Sequence, residues 1–508
     1  MPYPLRFALV LAALAPAALS AAHAQVIAVK TAPIADGGQF AFLPSANLGM
    51  GSLSIALPDS ALDPFINPAT GARLSGVRVF GAPTFFSVTR KAGGGLTLPL
   101  GASVSSGPWF TQLLVAMQDI DRTGNDGPAV SPLAATADSR APQPTTDVAA
   151  TPDDDKASRE NRYVHGTIGR RLGHGLSLAS SASWWRLNMV DGVELYYPVN
   201  DQVRQHGEAS DVRIGLLKEF GPGHSLEAVA LHNRFAMNQD VASTETLWDP
   251  TLRQFTFRAR VAPNADETDT WGLHVGYRRP LADSTWHVGA ILTANRITQP
   301  RLPAYDLPEV PADAARAQAY DIGAGISRST RQLVAGFEAV YEPIWRHSWV
   351  RAGEPTEARD GTPIDAGTTV LENDFRFHNA IARLGLGFGV PIVGEHALTF
   401  EAGGQFRAVR YRLEQQDAIQ VTRVATTQGW NEWTRSWGVS YRFAGAAVQY
   451  RGNLTTGASR PGFDDDGGVV FAPGIDARPC CGQQVAFGLR FDDVRTTTHQ
   501  ISFSVPIR

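Results

Sequence analysis

The feature that most restricts the fold of this sequence is a strict two-residue alternation of apolar and polar side chains. In residues 398–408, the even positions carry the apolar side chains Leu398, Phe400, Ala402, Phe406 and Ala408. The end of the chain repeats the pattern, with Ile501, Phe503, Val505 and Ile507 on one face. Such alternation is typical of β-strands with one apolar face. Because each segment spans about 10 residues, the pattern fits strands that cross a membrane at a tilt.

The connections between these segments alternate between two lengths. Short turns occur in sequences such as RRLGHGLSL, KEFGPGHSL and VPIVGEHAL. Between them lie long polar stretches at 119–160, 188–209, 238–269, 298–318, 343–374, 414–428 and 457–482. This alternation is typical of outer-membrane barrels, whose short turns are periplasmic and whose long loops are extracellular.

A soluble β-sandwich is the alternative fold that alternating strands permit. Its strands would follow one another at regular intervals, without two lengths of connection. Large aromatic residues stand near segment ends, as in the aromatic girdles of membrane barrels: Trp184, Trp185, Trp271, Trp286, Trp433 and Trp437. We therefore predict an all-β fold, a transmembrane antiparallel β-barrel of about 14, 16 or 18 strands.

The first 24 residues have the pattern of a secretory signal peptide. Arg6 precedes an apolar run, and Ala22-His23-Ala24 matches the small-residue cleavage site, so cleavage is expected after Ala24. Export of a barrel indicates the outer membrane of a Gram-negative bacterium. The expected surroundings are outer-membrane lipids and lipopolysaccharide, and the barrel-assembly machinery is the expected partner for insertion.

Composition and motifs exclude several functions. The formal net charge is −4, so nothing favours nucleic acid as a partner. The sequence contains neither a G-x-S-x-G nucleophile elbow nor an H-E-x-x-H motif, and we predict no enzyme, no catalytic residue and no cofactor. Asp119 and Asp121 begin a partial calcium loop, but Val130 stands where a bidentate Glu is required, so no metal site is predicted. Cys480 and Cys481 are adjacent, and we interpret them as turn residues rather than a disulfide framework.

Charged residues on the polar faces of the late segments are candidates for the barrel lumen. The residues that we select are Arg383, Glu401, Arg407, Arg442 and Arg451. Charges in a barrel interior either line a channel and set its selectivity or pair to hold the wall together. A pair between Glu401 and Arg383 is one such possibility, and Arg435 is ambiguous because it alternates in phase with Trp433 and Trp437.

The stretch ANLGMGSLSIALPDSALDPFINPATGARL, residues 46–74, resembles the start of the long-chain fatty-acid transport (FadL/TodX-like) family of outer-membrane barrels. The resemblance lies in Gly49-Met50-Gly51, Asp59-Ser60-Ala61 and Asn67-Pro68-Ala69, and it covers about thirty residues. It implies three parts: a signal peptide at 1–24, an N-terminal hatch at 25–74 inside the lumen, and a barrel at 75–508. The Asn67-Pro68-Ala69 turn is unsuited to a wall strand, since proline lacks the N–H of a strand ladder.

The same resemblance implies passive uptake of small hydrophobic compounds such as fatty acids. Phe40, Phe42, Leu43, Phe65 and Ile66 could line an apolar pocket, or could simply pack the hatch against the wall. Two other functions stay open on the sequence: a general porin, favoured by the lumen arginines, and a scaffold or assembly barrel without transport activity.

Overall fold

A computed structural model describes residues 43–89, 93–120, 160–191, 202–249, 254–281, 285–299, 315–392, 396–462 and 490–507. The predicted signal peptide, Phe40, Phe42, and the pair Cys480 and Cys481 lie outside the described residues. Among the described residues, no helix is long and apolar enough to cross a membrane.

The described chain is almost entirely β-structure. The strands of its first half are β1 Gly76–Gly81, β2 Thr84–Val88, β3 Gly94–Ser106, β4 Trp109–Ile120, β5 Glu160–Gly173, β6 Leu176–Leu187, β7 Gln202–Gly221, β8 His224–Asp249, β9 Gln254–Pro280 and β10 Trp286–Gln299. Those of the second half are β11 Ala315–Ser329, β12 Leu333–Arg351, β13 Thr356–Glu357, β14 Pro363–Ile364, β15 Thr369–Pro391, β16 Ala397–Asp417, β17 Thr422–Phe443, β18 Ala446–Gly462 and β19 Arg490–Ile507. Before β1 come two short 3₁₀ helices, Leu48–Met50 and Pro68–Arg73, and one α-helical turn, Asp63–Ile66.

The strands close into one antiparallel barrel. Both β1 and β2 pair with β19 on one side and with β3 on the other, so the two share a single position in the wall. With the hairpin β13–β14 set aside in its own small sheet, the wall has sixteen strand positions. The predicted barrel is confirmed, with the middle of the three expected strand numbers. The break between β1 and β2 falls at Ala82 and Pro83, where proline removes a ladder donor.

The two faces of the wall differ as the sequence alternation predicts. Phe400 and Leu384 point outward and are each 47% exposed, whereas Glu401 and Arg383, next to them in sequence, point inward and are buried. Apolar side chains stay on the outside because lipid, not protein, covers them. Many polar side chains on the inside form hydrogen bonds with one another and with the N-terminal residues, as Arg383 does with Gln405 and Arg451 with Ala46.

The connections β3–β4, β5–β6, β7–β8, β9–β10, β11–β12, β15–β16 and β17–β18 are short and lie at one end of the barrel, together with the start of β1 and the end of β19. We call this the short-turn end, and the opposite end the long-loop end. Several predicted long loops at the long-loop end are extended hairpins: β8 and β9 run through 238–269, and β16 and β17 run through 414–428. The backbone ladder continues there although the apolar alternation of the sequence stops.

One aromatic residue differs from its predicted position. Trp184 is outward and exposed, but Trp185 is partly buried and packs on the lumen cluster that contains Tyr163 and Leu187. Adjacent residues of a strand point to opposite faces, so both could not belong to the girdle. Arg435, left ambiguous by the sequence, is exposed on the outward face.

Candidate functional site in the barrel lumen

The described part of the predicted hatch, residues 43–74, contacts inward-facing side chains of the wall; we call it the N-terminal segment. Its own turns are organised by Asp59, which is 1% exposed. The Asp59 carboxylate accepts hydrogen bonds from the Ser45 hydroxyl at 2.6 Å and from the N–H groups of Ala46 at 2.7 Å and Asn47 at 3.1 Å. It also accepts from the Leu62 N–H at 3.0 Å. One buried carboxylate therefore ties both ends of the loop 45–62 together.

Glu338 of β12 binds the backbone of the segment from the wall. Its Oε1 accepts from the N–H groups of Ser54 at 2.8 Å, Ile55 at 2.5 Å and Ala56 at 3.3 Å. Its other oxygen, Oε2, lies 3.4 Å from Nη1 of Arg383, and both side chains are almost fully buried. The charge of Arg383 compensates the carboxylate, and the carboxylate in turn fixes three consecutive amides of the segment.

The carbonyl groups of the same stretch accept hydrogen bonds from the two strands that flank β10. Arg278 of β9 donates to the carbonyl oxygens of Ser54 at 3.0 Å and Ile55 at 3.1 Å. The Ser327 hydroxyl of β11 donates to the carbonyl of Ala56 at 2.9 Å. Residues 54–56 therefore have both their donors and their acceptors satisfied by the wall, as an added strand would have.

A second ion pair holds the beginning of the segment. Arg451 of β18 and Glu401 of β16 form a two-bond pair, Nε–Oε2 at 2.8 Å and Nη2–Oε1 at 2.9 Å. Nη2 of Arg451 also donates to the carbonyl of Ala46 at 2.9 Å.

The segment also approaches the wall closely at Gly51, and this position requires a glycine. Gly51 has φ +69°, and a Cβ would lie 2.7 Å from the carbonyl oxygen of Gly404.

The Asn67-Pro68-Ala69 turn docks against β7 and β8. Oδ1 of Asn67 accepts from the Ala69 N–H at 3.1 Å and caps the short helix Pro68–Arg73, while Nδ2 donates to Glu227 at 3.0 Å. Ala69 is fully buried and packs with Phe110 and Leu217. The turn therefore lies on the inner side of the wall rather than in it.

The five residues predicted to line an apolar pocket divide into three groups. Phe40 and Phe42 lie outside the described residues. Phe65 is 3% exposed and packs in a lumen cluster with Phe80, Leu114 and Tyr163, against which Leu43 also packs. Ile66 is half-buried. The described contacts of Leu43 and Phe65 are those of side chains packed between the segment and the wall.

Four of the five predicted lumen charges are in buried or partly buried ion pairs. Arg383 pairs with Glu338, Arg451 with Glu401, and Nη2 of Arg407 lies 2.8 Å from Glu342. The pair of Glu401 with Arg383 that the sequence suggested is wrong, since the register sets Arg383 opposite Gln405. The fifth residue, Arg442, is exposed at the short-turn end of β17.

Sequence reasoning missed the remaining wall contacts of the segment. Besides Arg278 and Ser327, Arg213 of β7 donates to the carbonyl of Ile66 at 3.1 Å, and Arg171 of β5 donates to that of Leu74 at 3.0 Å. The alternation identifies Arg213 and Arg278 as inward-facing, but it gives no sign of which of the inward residues bind backbone.

One of the inward-facing apolar clusters of the wall is rich in aromatic residues and is formed by wall residues alone. It lies in the half of the barrel nearer the long-loop end, and we call it the aromatic wall cluster: Ile297, Ala317, Ala319, Ile344, Phe375, Phe377, Val409, Tyr411 and Leu413, with Trp430 packed against them. The ring centroids of Phe377 and Tyr411 are 5.2 Å apart, and those of Phe375 and Tyr411 are 5.8 Å apart. The strands that carry the cluster come from consecutive positions, β10 to β17.

A second, smaller apolar cluster lies nearer the short-turn end, against the N-terminal segment. Ile55 packs there with Val340 and Ile381. Val340 and Ile381 lie four residues from Ile344 and Phe377 on the same two strands, in the direction of the short-turn end. The inward residues between them are Glu342 and Asn379, which are buried and hydrogen-bonded to each other at 2.7 Å, so a polar level separates the aromatic wall cluster from the segment.

Asp63, in the helical turn of the segment, is the titratable group with the largest change of environment outside the wall strands. Removal from water raises the pKa of Asp63 from 3.8 to about 8. Arg278 opposes this shift, whereas the carboxylates of Asp59 and Glu227 add to it. Asp63 is therefore mostly protonated and neutral near pH 7, and it is mostly ionised only above about pH 8.

No family model matches the chain, and no curated protein matches it. Among solved structures, a Pseudomonas aeruginosa FadL homologue is similar with a TM-score of 0.42 and 13% identity, over 92% of this chain and 100% of that one. The Ralstonia pickettii toluene transporter TbuX has a TM-score of 0.38 and 9% identity, over 93% and 100%. A bacterial polysaccharide outer-membrane secretin has a TM-score of 0.36 and 7% identity, over 85% and 99%.

The family that residues 46–74 resemble is thus represented among the similar structures. At these TM-scores the likeness adds no argument of its own. The strand pairings and the two faces of the wall are what establish the transmembrane barrel.

Proposed function

We propose that this protein is a passive channel of the outer membrane that takes up small hydrophobic compounds such as fatty acids, with its long-loop end outside the cell. The observation that carries the proposal is the aromatic wall cluster. Apolar side chains are costly on a wall that faces water, but they favour an apolar solute that passes along them. The proposal includes export after Ala24, insertion by the barrel-assembly machinery, and no enzymatic activity.

The N-terminal segment fits this function as a hatch. Its backbone is bound by polar wall side chains that include Glu338, Arg278 and Arg451, and these contacts favour a closed lumen for water and ions. A general porin, in contrast, requires a wet channel through the lumen. The segment therefore favours selective uptake over general diffusion.

Uptake into liposomes tests the proposal. We expect liposomes with the purified protein to take up a labelled fatty acid faster than empty liposomes, and to exclude a sugar of similar size. Phe377→Ala should reduce fatty-acid uptake several-fold, because it removes a ring from the centre of the aromatic wall cluster.

Leu384→Ala is the matched control, since Leu384 lies on the same strand as Phe377 and faces lipid. It should leave uptake unchanged. Equal fatty-acid uptake with and without the protein would refute the proposal, and free passage of the sugar would identify a porin instead.

A further inference from the structure

The register of the barrel aligns a row of outward-facing side chains across five strands. Arg296 of β10 stands opposite Gln318 of β11, which stands opposite Trp345 of β12. Trp345 stands opposite Arg376 of β15, and Arg376 stands opposite Arg412 of β16. We call these five residues the arginine row. All three of its arginines are exposed.

The depth of the row follows from its neighbours. Next to the row, toward the short-turn end, the outward-facing side chains are Tyr320, Tyr341 and His378. The Tyr341 hydroxyl lies 2.6 Å from Nδ1 of His378. Tyr320 packs edge-on against Trp345. Beyond them, outward positions become apolar, as at Ile322. Because tyrosine and tryptophan rings settle at the membrane interface, the arginine row lies at the level of the lipid headgroups.

Two arginines of the row face each other directly. Arg376 and Arg412 are cross-strand partners, and side chains at such positions have Cβ atoms about 5 Å apart. Like charges in that arrangement repel, and a bound anion relieves the repulsion. Arg410 adds a guanidinium on the same face of β16, held by the carbonyl of Trp430 at 2.8 Å and by Asn431 at 2.9 Å.

Of the carboxylates near the row, one pairs with an arginine of the row and another pairs with a histidine. Glu414 lies 3.1 Å from Arg412 and 3.8 Å from Arg423. Asp374 lies 2.9 Å from Nδ1 of His347. Arg316, one level further from the lipid, stacks over the ring of Trp349 at 5.7 Å. The carboxylates thus lie on the loop side of the row, and the arginines lie closest to the lipid.

The described strands on the other side of the barrel lack such a surplus of positive charge. There, Arg162 pairs with Glu160 at 2.8 Å, and Arg234 pairs with Glu267. Arg186 stands opposite Arg162 of β5 on one side and opposite Glu208 of β7 on the other. Each of these outward arginines therefore has a carboxylate beside it, whereas Arg376, Arg410 and Arg412 lie close together around the ion pair of Arg412 with Glu414.

We propose that the arginine row, centred on Arg376 and Arg412, binds the phosphate groups of lipopolysaccharide in the outer leaflet. Guanidinium groups recognise phosphate through paired N–H donors, and basic residues at headgroup depth attract anionic lipids. The binding surface rests on the orientation given above, with the long loops outside, and is independent of what the lumen transports. Lipopolysaccharide is the occupant because it is the phosphorylated lipid of the leaflet that the row faces in that orientation.

Native mass spectrometry of the full-length protein in mild detergent tests this site. The probes are bisphosphorylated lipid A, the same lipid A after phosphatase treatment, and phosphatidylglycerol. We expect the protein to retain bisphosphorylated lipid A in preference to the other two. The double variant Arg376→Gln/Arg412→Gln should reduce that retention about tenfold, since two phosphate contacts are removed.

The matched control is Arg162→Gln/Arg234→Gln, which removes two outward arginines that already have carboxylate partners. It should retain lipid A as the unchanged protein does. The heat-dependent shift in electrophoretic mobility, measured for every variant, verifies that each barrel is folded. Unchanged retention in Arg376→Gln/Arg412→Gln, or equal retention of phosphatase-treated lipid A, overturns the site. Equal retention of phosphatidylglycerol overturns the assignment to lipopolysaccharide.

Discussion

Glu338 joins two functions in a single buried carboxylate. It accepts from three consecutive N–H groups of the N-terminal segment and compensates the charge of Arg383. Neither role is replaceable by water, because both side chains are almost completely buried. Changes at this residue should therefore affect the wall and the segment together.

We expect Glu338→Gln to lower the free energy of unfolding by about 3 kcal/mol, because it leaves Arg383 as a buried charge without a partner. Denaturant unfolding in lipid vesicles, followed by tryptophan fluorescence, measures the loss. Glu338→Gln/Arg383→Met should lose less than the single variant, since no unpaired charge remains. Glu372→Gln, at a half-exposed outward carboxylate, is the control, and an equal loss in that variant would contradict the interpretation.

Asp63 makes the docking of the segment dependent on pH. Its pKa is about 8 in the folded protein and 3.8 in the unfolded chain, so the folded state binds more protons between these values. Stability should therefore be highest at low pH and should fall as the pH rises from about 4 to about 8. The thermal unfolding temperature and the protease resistance of the segment, measured across this range, test the sign.

Asp63→Asn should remove this pH dependence, because the amide does not titrate and resembles the neutral acid. The exposed loop residue Asp360 supplies the control variant Asp360→Asn. Hydrogen bonds from Thr362 lower the pKa of Asp360. Titration of Asp360 therefore changes the stability in the opposite direction to that of Asp63, and it does so at lower pH. A pH profile of Asp63→Asn identical to that of the unchanged protein would exclude Asp63 as the source.

At the level of strands, the sequence was most informative where lipid imposes a pattern. Ile501 and Val505 are outward and exposed as expected, because a strand that crosses a bilayer must alternate. Strand ends were predicted poorly, since the ladders of β8 and β9 continue where no lipid selects the outward side chains. The alternation of the sequence also did not predict that the first wall position is divided into β1 and β2 at Pro83.

The candidate site was predictable only in part, for a related reason. Alternation decides which face a residue occupies, and Glu401, Arg407 and Arg451 form ion pairs on the inner face. Alternation does not decide how neighbouring strands are aligned, so the predicted pairing of Arg383 with Glu401 was wrong, and Arg383 pairs with Glu338 instead. The wall contacts of Arg278 are separated from residues 54 and 55 by more than two hundred positions, and alternation carries no information at that distance.

For the whole molecule, we expect the N-terminal segment to close the lumen. Deletion of residues 43–74 behind an intact signal peptide should raise single-channel conductance in a planar bilayer from almost none to that of an open pore. The reason is that polar side chains such as Arg278, Glu338 and Arg451 would then line a wet lumen.

The barrel itself should survive this deletion, because its closure depends on the pairing of β19 with β1 and β2, which begin after residue 74. Heat-dependent electrophoretic mobility verifies the fold of the deletion variant. If the unchanged protein already conducts as much as the deletion variant, the segment does not close the lumen.

The closing ladder between β19 and the first wall position also dictates the order of assembly. The N–H of Ser45 donates to Oε1 of Gln500 at 3.4 Å across 455 residues of chain. Such distant contacts form slowly, and until the last strand arrives the sheet has two open edges that invite aggregation. The contact of Ser45 with Gln500 therefore forms only after β19 has been synthesised. A chain truncated before β19 cannot close its barrel wall, and it lacks Gln500, one of the wall residues that bind the N-terminal segment.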